Sequence, residues 1–385
     1  MTALETRSSD AYTNDRAHVF HSWSAQGALK PVVVAGGQGS WFWDDDGNRY
    51  LDFSSQLVNI NIGHQHPKLI AAIQEQAGRL CTVAPFHAND ARSEAARLIV
   101  EVANTGADPD DAKALAMVFF TNGGAEATEN AIRMARLHTG RHKVLTTYRS
   151  YHGATAGAIT MTGDPRRWPS EPGMAGTVKF WGPYPYRSAF HAADEAQESE
   201  RALTHLADVL MVEGAQTVAA IVLETVVGTN GILVPPPGYL AGVRELCDRH
   251  GILLICDEVM AGFGRCGEWF AFQKWDVRPD LACFAKGVNS GYLPLGGVVI
   301  GRHVADTFRD RAFPGGLTYS GHPLACASAV ASINIFREEG IIEHARMLGT
   351  DVIGPELDKI MAKHPSVGEV RGLGVFWAIE LVSNR

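Results

Sequence analysis

From about Pro67 onward, short runs of mostly apolar residues alternate with longer segments whose apolar residues recur at helical spacing. The runs fall at 116–121, 143–148, 219–224, 252–257, 281–285 and 296–300. Gly251-Ile252-Leu253-Leu254-Ile255-Cys256 lacks any polar alternation, which is how a strand covered on both faces reads. One helical segment passes through Ala131, Ile132, Met134, Ala135 and Leu137. Another runs from Tyr239 to His250, behind the stiff connector Pro235-Pro236-Pro237-Gly238, with Gly251 as its C-cap. Strands alternating with helices predict an α/β fold with a mainly parallel central sheet covered by helices.

The ends of the chain read differently. In the first 65 residues, Trp41-Phe42-Trp43 and Tyr50-Leu51-Asp52-Phe53 flank the turn Asp44-Asp45-Asp46-Gly47, a hairpin signal. Residues 1–65 are therefore expected to form an N-terminal arm belonging to a small domain, and 66–319 a large domain. Residues 320–385 open with a long helix leading into the start of a C-terminal small domain. The acidic stretch Asp194 to Glu200 reads as a solvated helix face.

Composition bounds the possibilities. With 385 residues, 46% of them hydrophobic, the chain can bury a large core. A formal charge of −8 and a pI near 6.0 argue against nucleic acid or an anionic membrane as partner. The first twenty residues lack an apolar signal core, and no run approaches membrane-spanning length. The six cysteines form no C-x-x-C pair, and Cys256 and Cys283 fall in expected buried strands as reduced core residues. The expected compartment is the cytoplasm. Among the histidines, His64, His66 and His87 are close in sequence, but no His/Cys/Asp set has ligand spacing, so no metal is expected.

Four segments carry candidate chemistry. Lys286 follows the apolar run Leu281-Ala282-Cys283-Phe284-Ala285 and precedes Gly287. Apolar surroundings favour a neutral amine, a nucleophile that can condense with a carbonyl. Equally, a loop lysine can pack its stem and keep its head in water. Asp257 and Glu258 end the run 252–257, where open α/β sheets bind ligands, although a cap or an ion pair would look the same. Asn122-Gly123-Gly124-Ala125 joins a strand to a helix, a place where backbone amides can meet an anion or simply turn the chain. Tyr148-Arg149-Ser150-Tyr151-His152-Gly153 offers an aromatic face that could stack on a ring or pack in the core. An amine, a carboxylate, a phosphate cradle and a stacking face together answer the needs of pyridoxal 5′-phosphate.

These residues resemble the class III aminotransferases of fold type I, which depend on pyridoxal phosphate. The resemblance runs from about Val33 to the last residue. Its strongest stretch is Asp257-Glu258-Val259-Met260-Ala261-Gly262-Phe263-Gly264-Arg265, with Lys286 following 29 positions after Asp257. Tyr50-Leu51-Asp52-Phe53, Asn61-Ile62-Gly63-His64, Tyr151-His152-Gly153, Thr318-Tyr319-Ser320-Gly321-His322-Pro323 and Arg371-Gly372-Leu373-Gly374 extend it. The resemblance implies that Lys286 is the Schiff-base lysine and proton carrier, and that Asp257 is the partner of the pyridine nitrogen. It implies Tyr151, with neighbouring His152, and Val259 on the two ring faces, and Glu224 near the ring. Gly123, Gly124 and Ala125 match the phosphate turn, where many relatives carry hydroxyl side chains. Thr318 matches a residue that reaches the phosphate from a neighbouring subunit, which implies a homodimer or a dimer of dimers.

Departures from the family narrow the expected substrate. Thr229 stands where relatives acting on ornithine or 4-aminobutyrate carry a second glutamate, which points to pyruvate as amino acceptor. Met260 replaces a glutamine of some relatives, and Val58 replaces a tryptophan of many ω-transaminases. Trp23 and Phe86 remain as aromatic walls beside Val58. A small ω-amino donor such as taurine or β-alanine fits this set, and the His21-Ser22-Trp23-Ser24 run is similar to the taurine–pyruvate branch. An aminomutase of the glutamate-1-semialdehyde type, or a non-catalytic cofactor-binding protein, are the rival readings. The chain stops soon after Arg371-Gly372-Leu373-Gly374, so no residue matches the family's substrate-carboxylate arginine, and weak activity towards 2-oxo acids is expected of a molecule ending there.

Overall fold

A computed structural model describes residues 8–108, 111 and 113–383. In chain order its strands are β1 (Val34–Gln38), β2 (Trp41–Asp44), β3 (Arg49–Leu51), β4 (Leu115–Thr121), β5 (Lys143–Thr147), β6 (Thr177–Phe180), β7 (Val218–Glu224), β8 (Leu253–Asp257), β9 (Leu281–Phe284), β10 (Gly296–Gly301), β11 (Val367–Leu373) and β12 (Phe376–Leu381). Each apolar run of the sequence became a strand of one seven-stranded sheet, ordered β4-β10-β9-β8-β7-β5-β6. The pairs β5–β6, β5–β7, β7–β8 and β8–β9 are parallel, while β10 runs antiparallel to both β9 and β4. Two reversals restore direction, so the carboxyl ends of β4, β5, β7, β8 and β9 share one edge of the sheet.

Side-chain alternation buries both faces. Ile221, Leu223, Leu254 and Cys256 pack with Leu98, Phe180 and Leu206 on one side. Ala220, Val222, Leu253 and Ile255 pack with Ala131, Ile132 and Met134 on the other. Those three belong to the helix Gly124–Thr139, which is rich in strong helix formers and ends at Gly140 with φ +69°. The helix Tyr239–His250 is bounded as expected, by Gly238 at φ +82° and Gly251 at φ +59°.

The N-terminal hairpin forms between β2 and β3, with Trp41 opposite Leu51. Asp44 fixes its turn by accepting hydrogen bonds from Asn48 N at 2.8 Å, Asn48 Nδ2 at 3.0 Å and the Tyr50 hydroxyl at 2.8 Å. The long helix expected after 320 is Pro323–Glu338. Cys256 and Cys283 are buried free thiols. No described helix is long and apolar enough to cross a membrane.

Two features depart from the sequence reading. The edge strand β6 has only four residues, too few to stand out by pattern. The acidic stretch 194–200 is a helix start, but it is not wholly solvated. Glu198 is fully buried, accepting from the Tyr184 amide at 2.7 Å and the Ser188 hydroxyl. A carboxylate so placed ties the preceding loop to the helix, and its donors replace the water it gave up.

Glu258 does the same work beside β8. It is buried and accepts hydrogen bonds from the Thr225 hydroxyl, Ala271 N at 2.7 Å and Phe272 N at 3.1 Å. Burial pushes its carboxyl up to about 7 against the pull of those donors. The folded protein thus holds this proton more tightly than the unfolded chain. The corresponding stability is full below the unfolded value near 4.5 and is lost as pH rises through about 7. In Glu258→Gln, which cannot titrate, the fall in unfolding free energy of the cofactor-free protein between pH 4.5 and 7 should be shallower, by on the order of 3 kcal/mol. Denaturant melts across that pH range measure this, and identical slopes in the two proteins would exclude the assignment.

Candidate functional site

The functional side chains cluster where the strand ends meet. Glu224 closes β7 and Asp257 closes β8, and the two are register partners. Asp257 is almost wholly buried, and its Oδ1 accepts from Val259 N at 3.1 Å. Its Oδ2 lies 2.7 Å from His152 Nδ1, while His152 Nε2 lies 3.2 Å from the Thr146 hydroxyl. Burial works against a charged His152 ring, but the hydrogen bond and charge of Asp257 outweigh it and raise the imidazole pKa. The contact therefore favours the charged form of the buried His152 ring. Glu224 accepts from Tyr151 N at 2.8 Å and Gly228 N at 2.7 Å, and burial pushes it up to about 7.

Lys286 follows β9 on the same edge. Its backbone takes φ +44°, a conformation few L-residues adopt, and its carbonyl accepts from Gly291 N at 3.2 Å. Gly287 permits this turn, since a Cβ there would lie 2.4 Å from Asn61 Nδ2. Burial lowers the Lys286 pKa from the ordinary lysine value. Asp257 and Glu224 oppose that change, whereas Arg265 and Arg166 reinforce it. A less basic amine is a better nucleophile near neutral pH.

The turn after β4 supplies the cradle. Gly123 precedes the helix Gly124–Thr139, whose first backbone bond runs from Ala127 N to Gly123 O at 3.2 Å. The amides of Gly124 and Ala125 precede that bond, at the electropositive end of a four-turn helix. A Cβ on Gly123 would meet nothing within 4 Å, so the space beside the turn is open. A Cβ on Gly124 would lie 2.8 Å from Val259 Cγ2, and one on Gly153 would lie 2.4 Å from Ala125 Cβ. Small residues thus bring the turn, Val259 and the Tyr151–Gly153 segment together. The open cradle, the acid, the amine and the aromatic fit pyridoxal phosphate in its phosphate, ring nitrogen, aldehyde and ring face respectively.

A cleft of about 510 Å³ joins these groups, within the range of small-molecule sites. Trp23, Gly123, Gly124, Ala125, Tyr151, His152, Glu224, Asp257, Val259 and Lys286 all line it. Val58 does not: it packs against the apolar cluster that includes Ala261 and Phe376, while Leu57 and Asn59 line the cleft instead. Phe86 is 84% exposed against His87, and Thr318 is exposed, so neither reaches the cleft of its own chain. The sequence reading missed Asn59 and Asn289, which also line it, as does Asn122 of the glycine turn. It missed Arg166 too, whose guanidinium lies 3.7 Å from the centre of the Tyr151 ring. Arg166 pairs with Asp164 and donates to the Thr229 hydroxyl at 2.7 Å. Thr229 had drawn notice as a departure, but only the fold brings Arg166 beside it, 63 positions away in sequence.

Comparison with known proteins agrees with this geometry. The family described as aminotransferase class-III matches residues 23–385. An uncharacterized aminotransferase, YhxA, of Bacillus subtilis is 35% identical over 96% of this chain and 81% of its own. The 5-aminovalerate aminotransferase DavT of Pseudomonas aeruginosa is 37% identical over 92% of this chain and 80% of its own. Among solved structures, a taurine:2-oxoglutarate aminotransferase from Bifidobacterium kashiwanohense, in complex with PLP and glutamate, superposes with a TM-score of 0.93. It is 44% identical, over 98% of this chain and 83% of that one. A thermostable (S)-enantioselective omega-transaminase from Thermomicrobium roseum gives a TM-score of 0.90 at 37% identity, over 98% of this chain and 84% of that one. The chain belongs to the class III aminotransferases, enzymes of fold type I that use pyridoxal 5′-phosphate.

Proposed function

We propose that this enzyme moves an amino group from a small ω-amino acid or ω-amino sulfonate, such as β-alanine or taurine, to a 2-oxo acid such as pyruvate. The observation that carries the reading is Arg166, a cation stacked on the Tyr151 ring beside the Lys286 cleft. A donor with an amine at one end and an acid at the other would direct the first to Lys286 and the second to Arg166. Val58 and Phe86 leave the cleft of this chain without two aromatic walls, which favours a compact polar donor over an arylalkyl amine. The taurine:2-oxoglutarate enzyme, at 44% identity, supports the same substrate class.

When bound, the cofactor supplies an electrophilic carbonyl carbon and an electron sink. Lys286 would hold it covalently and, once displaced by the donor amine, use its Nζ to take and return the proton of the donor carbon. Asp257 would keep the ring nitrogen protonated, with its carboxylate fixed by His152 and the Val259 amide. Tyr151 and Val259 would bracket the ring. The amides of Gly124 and Ala125 would hold the phosphate, carrying more of that role because Ala125 has no hydroxyl. Thr318, exposed on its own chain, would complete the cradle of a second subunit in a homodimer or dimer of dimers. A ping-pong cycle in the cytoplasm follows, with one cleft serving donor and acceptor in turn.

Three outcomes are expected. Lys286→Ala should lose the absorption band of the bound cofactor and fall by about 10³-fold or more in amine transfer, measured in single turnovers. Undiminished turnover would end the assignment. Arg166→Ala should raise KM for taurine or β-alanine by about 10- to 100-fold, as loss of a charge-assisted contact predicts, while a donor without an acid group is unaffected. In a half-reaction screen with taurine, β-alanine, 4-aminobutyrate, ornithine and an arylalkyl amine, the short acidic donors should bleach the band fastest. Bleaching by the arylalkyl amine alone would refute the substrate class.

A further inference from the structure

The segment Ser55–Val58 reaches the cleft through Leu57, in a backbone shape that L-residues avoid. Ser55, Gln56 and Val58 have φ of +56°, +55° and +59°, and Gln56 combines its value with ψ −116°. Such regions are open chiefly to glycine, yet 55–58 contains none. Strained backbone persists only where its surroundings over-determine it. Two anchors do so here.

The first is Asp52. Its Oδ1 accepts from Gln56 N at 2.8 Å, and its Oδ2 accepts from Gln56 Nε2 at 2.9 Å. The same Oδ2 lies 2.7 Å from His64 Nε2. Backbone bonds tie both partners to the N-terminal sheet: Asp52 N donates to Ser40 O at 2.8 Å, and His64 N donates to Gly39 O at 2.7 Å. The second anchor is Arg265, buried behind the cleft, whose Nη2 donates to Val58 O at 2.6 Å and also binds Asn61 Oδ1. Between the anchors, Leu57 N donates to Asn59 Oδ1 at 3.1 Å. Leu57 and Asn59 line the cleft, and Asp52 does not.

We propose that Asp52 is a positioning residue for substrate selection: its two carboxylate oxygens lock Gln56 in the left-handed conformation that sets Leu57 and Asn59 as the donor-side wall. The residue touches neither cofactor nor substrate. It acts through the backbone of 55–58, so its effect belongs to donor binding and not to the proton transfer at Lys286. The geometry also accounts for the double contact with Gln56, since a single bond to the side chain would leave the backbone free to relax. The inference rests on the amine-transfer reading above.

The test uses holoenzyme with saturating pyruvate and either taurine or β-alanine, whichever the wild type turns over. Asp52→Ala should raise KM for the donor about tenfold while kcat stays within about twofold, because displacement of a positioning wall acts on binding geometry. The cofactor absorption maximum and the affinity for free pyridoxal phosphate should match the wild type. Asp52→Asn keeps an acceptor for Gln56 N and should fall between the two. An unchanged KM overturns the proposal, as does a parallel loss of kcat and cofactor. Should Asp52→Ala fail to fold, Gln56→Gly decides: glycine accepts the backbone shape but cannot make the side-chain bond. A KM raised several-fold with an equal or higher Tm supports the lock, and an unchanged KM refutes it. Wild type that turns over neither donor refutes the substrate class instead, so the two failures are distinguishable.

Discussion

The contact between Asp257 and His152 is the constraint around which the site is arranged. A carboxylate at the end of a central strand has little access to water, so its charge must be met from within. His152 meets it at 2.7 Å, and Thr146 on β5 holds the far side of the imidazole. The pair binds β8 to β5 across β7, and Glu224 at the end of β7 completes a buried row of ionisable groups. That row, with two arginines nearby, sets the balance of charge in which the Lys286 amine becomes less basic.

The sheet explains why such distant residues converge. Lys286, Asp257, Glu224, Tyr151 and Gly123 each close or follow a different strand, and all five strands end at one edge. Open α/β sheets bind ligands there because helix starts and free backbone groups gather at carboxyl ends. The double reversal at β10 lets β4 bring the Gly123–Ala125 turn to the common edge.

Much of this was legible in the sequence because it follows from local rules. Apolar runs marked the central strands, since burial on both faces leaves no alternation to confuse the reading. Gly251 marked a helix end for a steric reason, since it takes φ +59° there. The placement of Lys286 and Asp257 was legible because a polar residue ending an apolar strand requires a partner, and both line one cleft. What escaped was decided by tertiary placement. Glu198 looked solvated, and only its donors Tyr184 and Ser188 make it internal. Val58 looked like a wall residue until its positive φ turned the side chain inward. Arg166 had no pattern of its own, because its meaning comes from stacking on Tyr151.

The cleft is lined from two parts of the chain. Gly123, Tyr151, Glu224, Asp257 and Lys286 stand at or just beyond strand ends of the seven-stranded sheet, while Trp23, Leu57 and Asn59 come from the segment before it. Alterations in that leading segment leave the central strands untouched. Such a division makes the scaffold evolvable: the leading wall of the cleft can be remodelled without retesting the foldability of the interior.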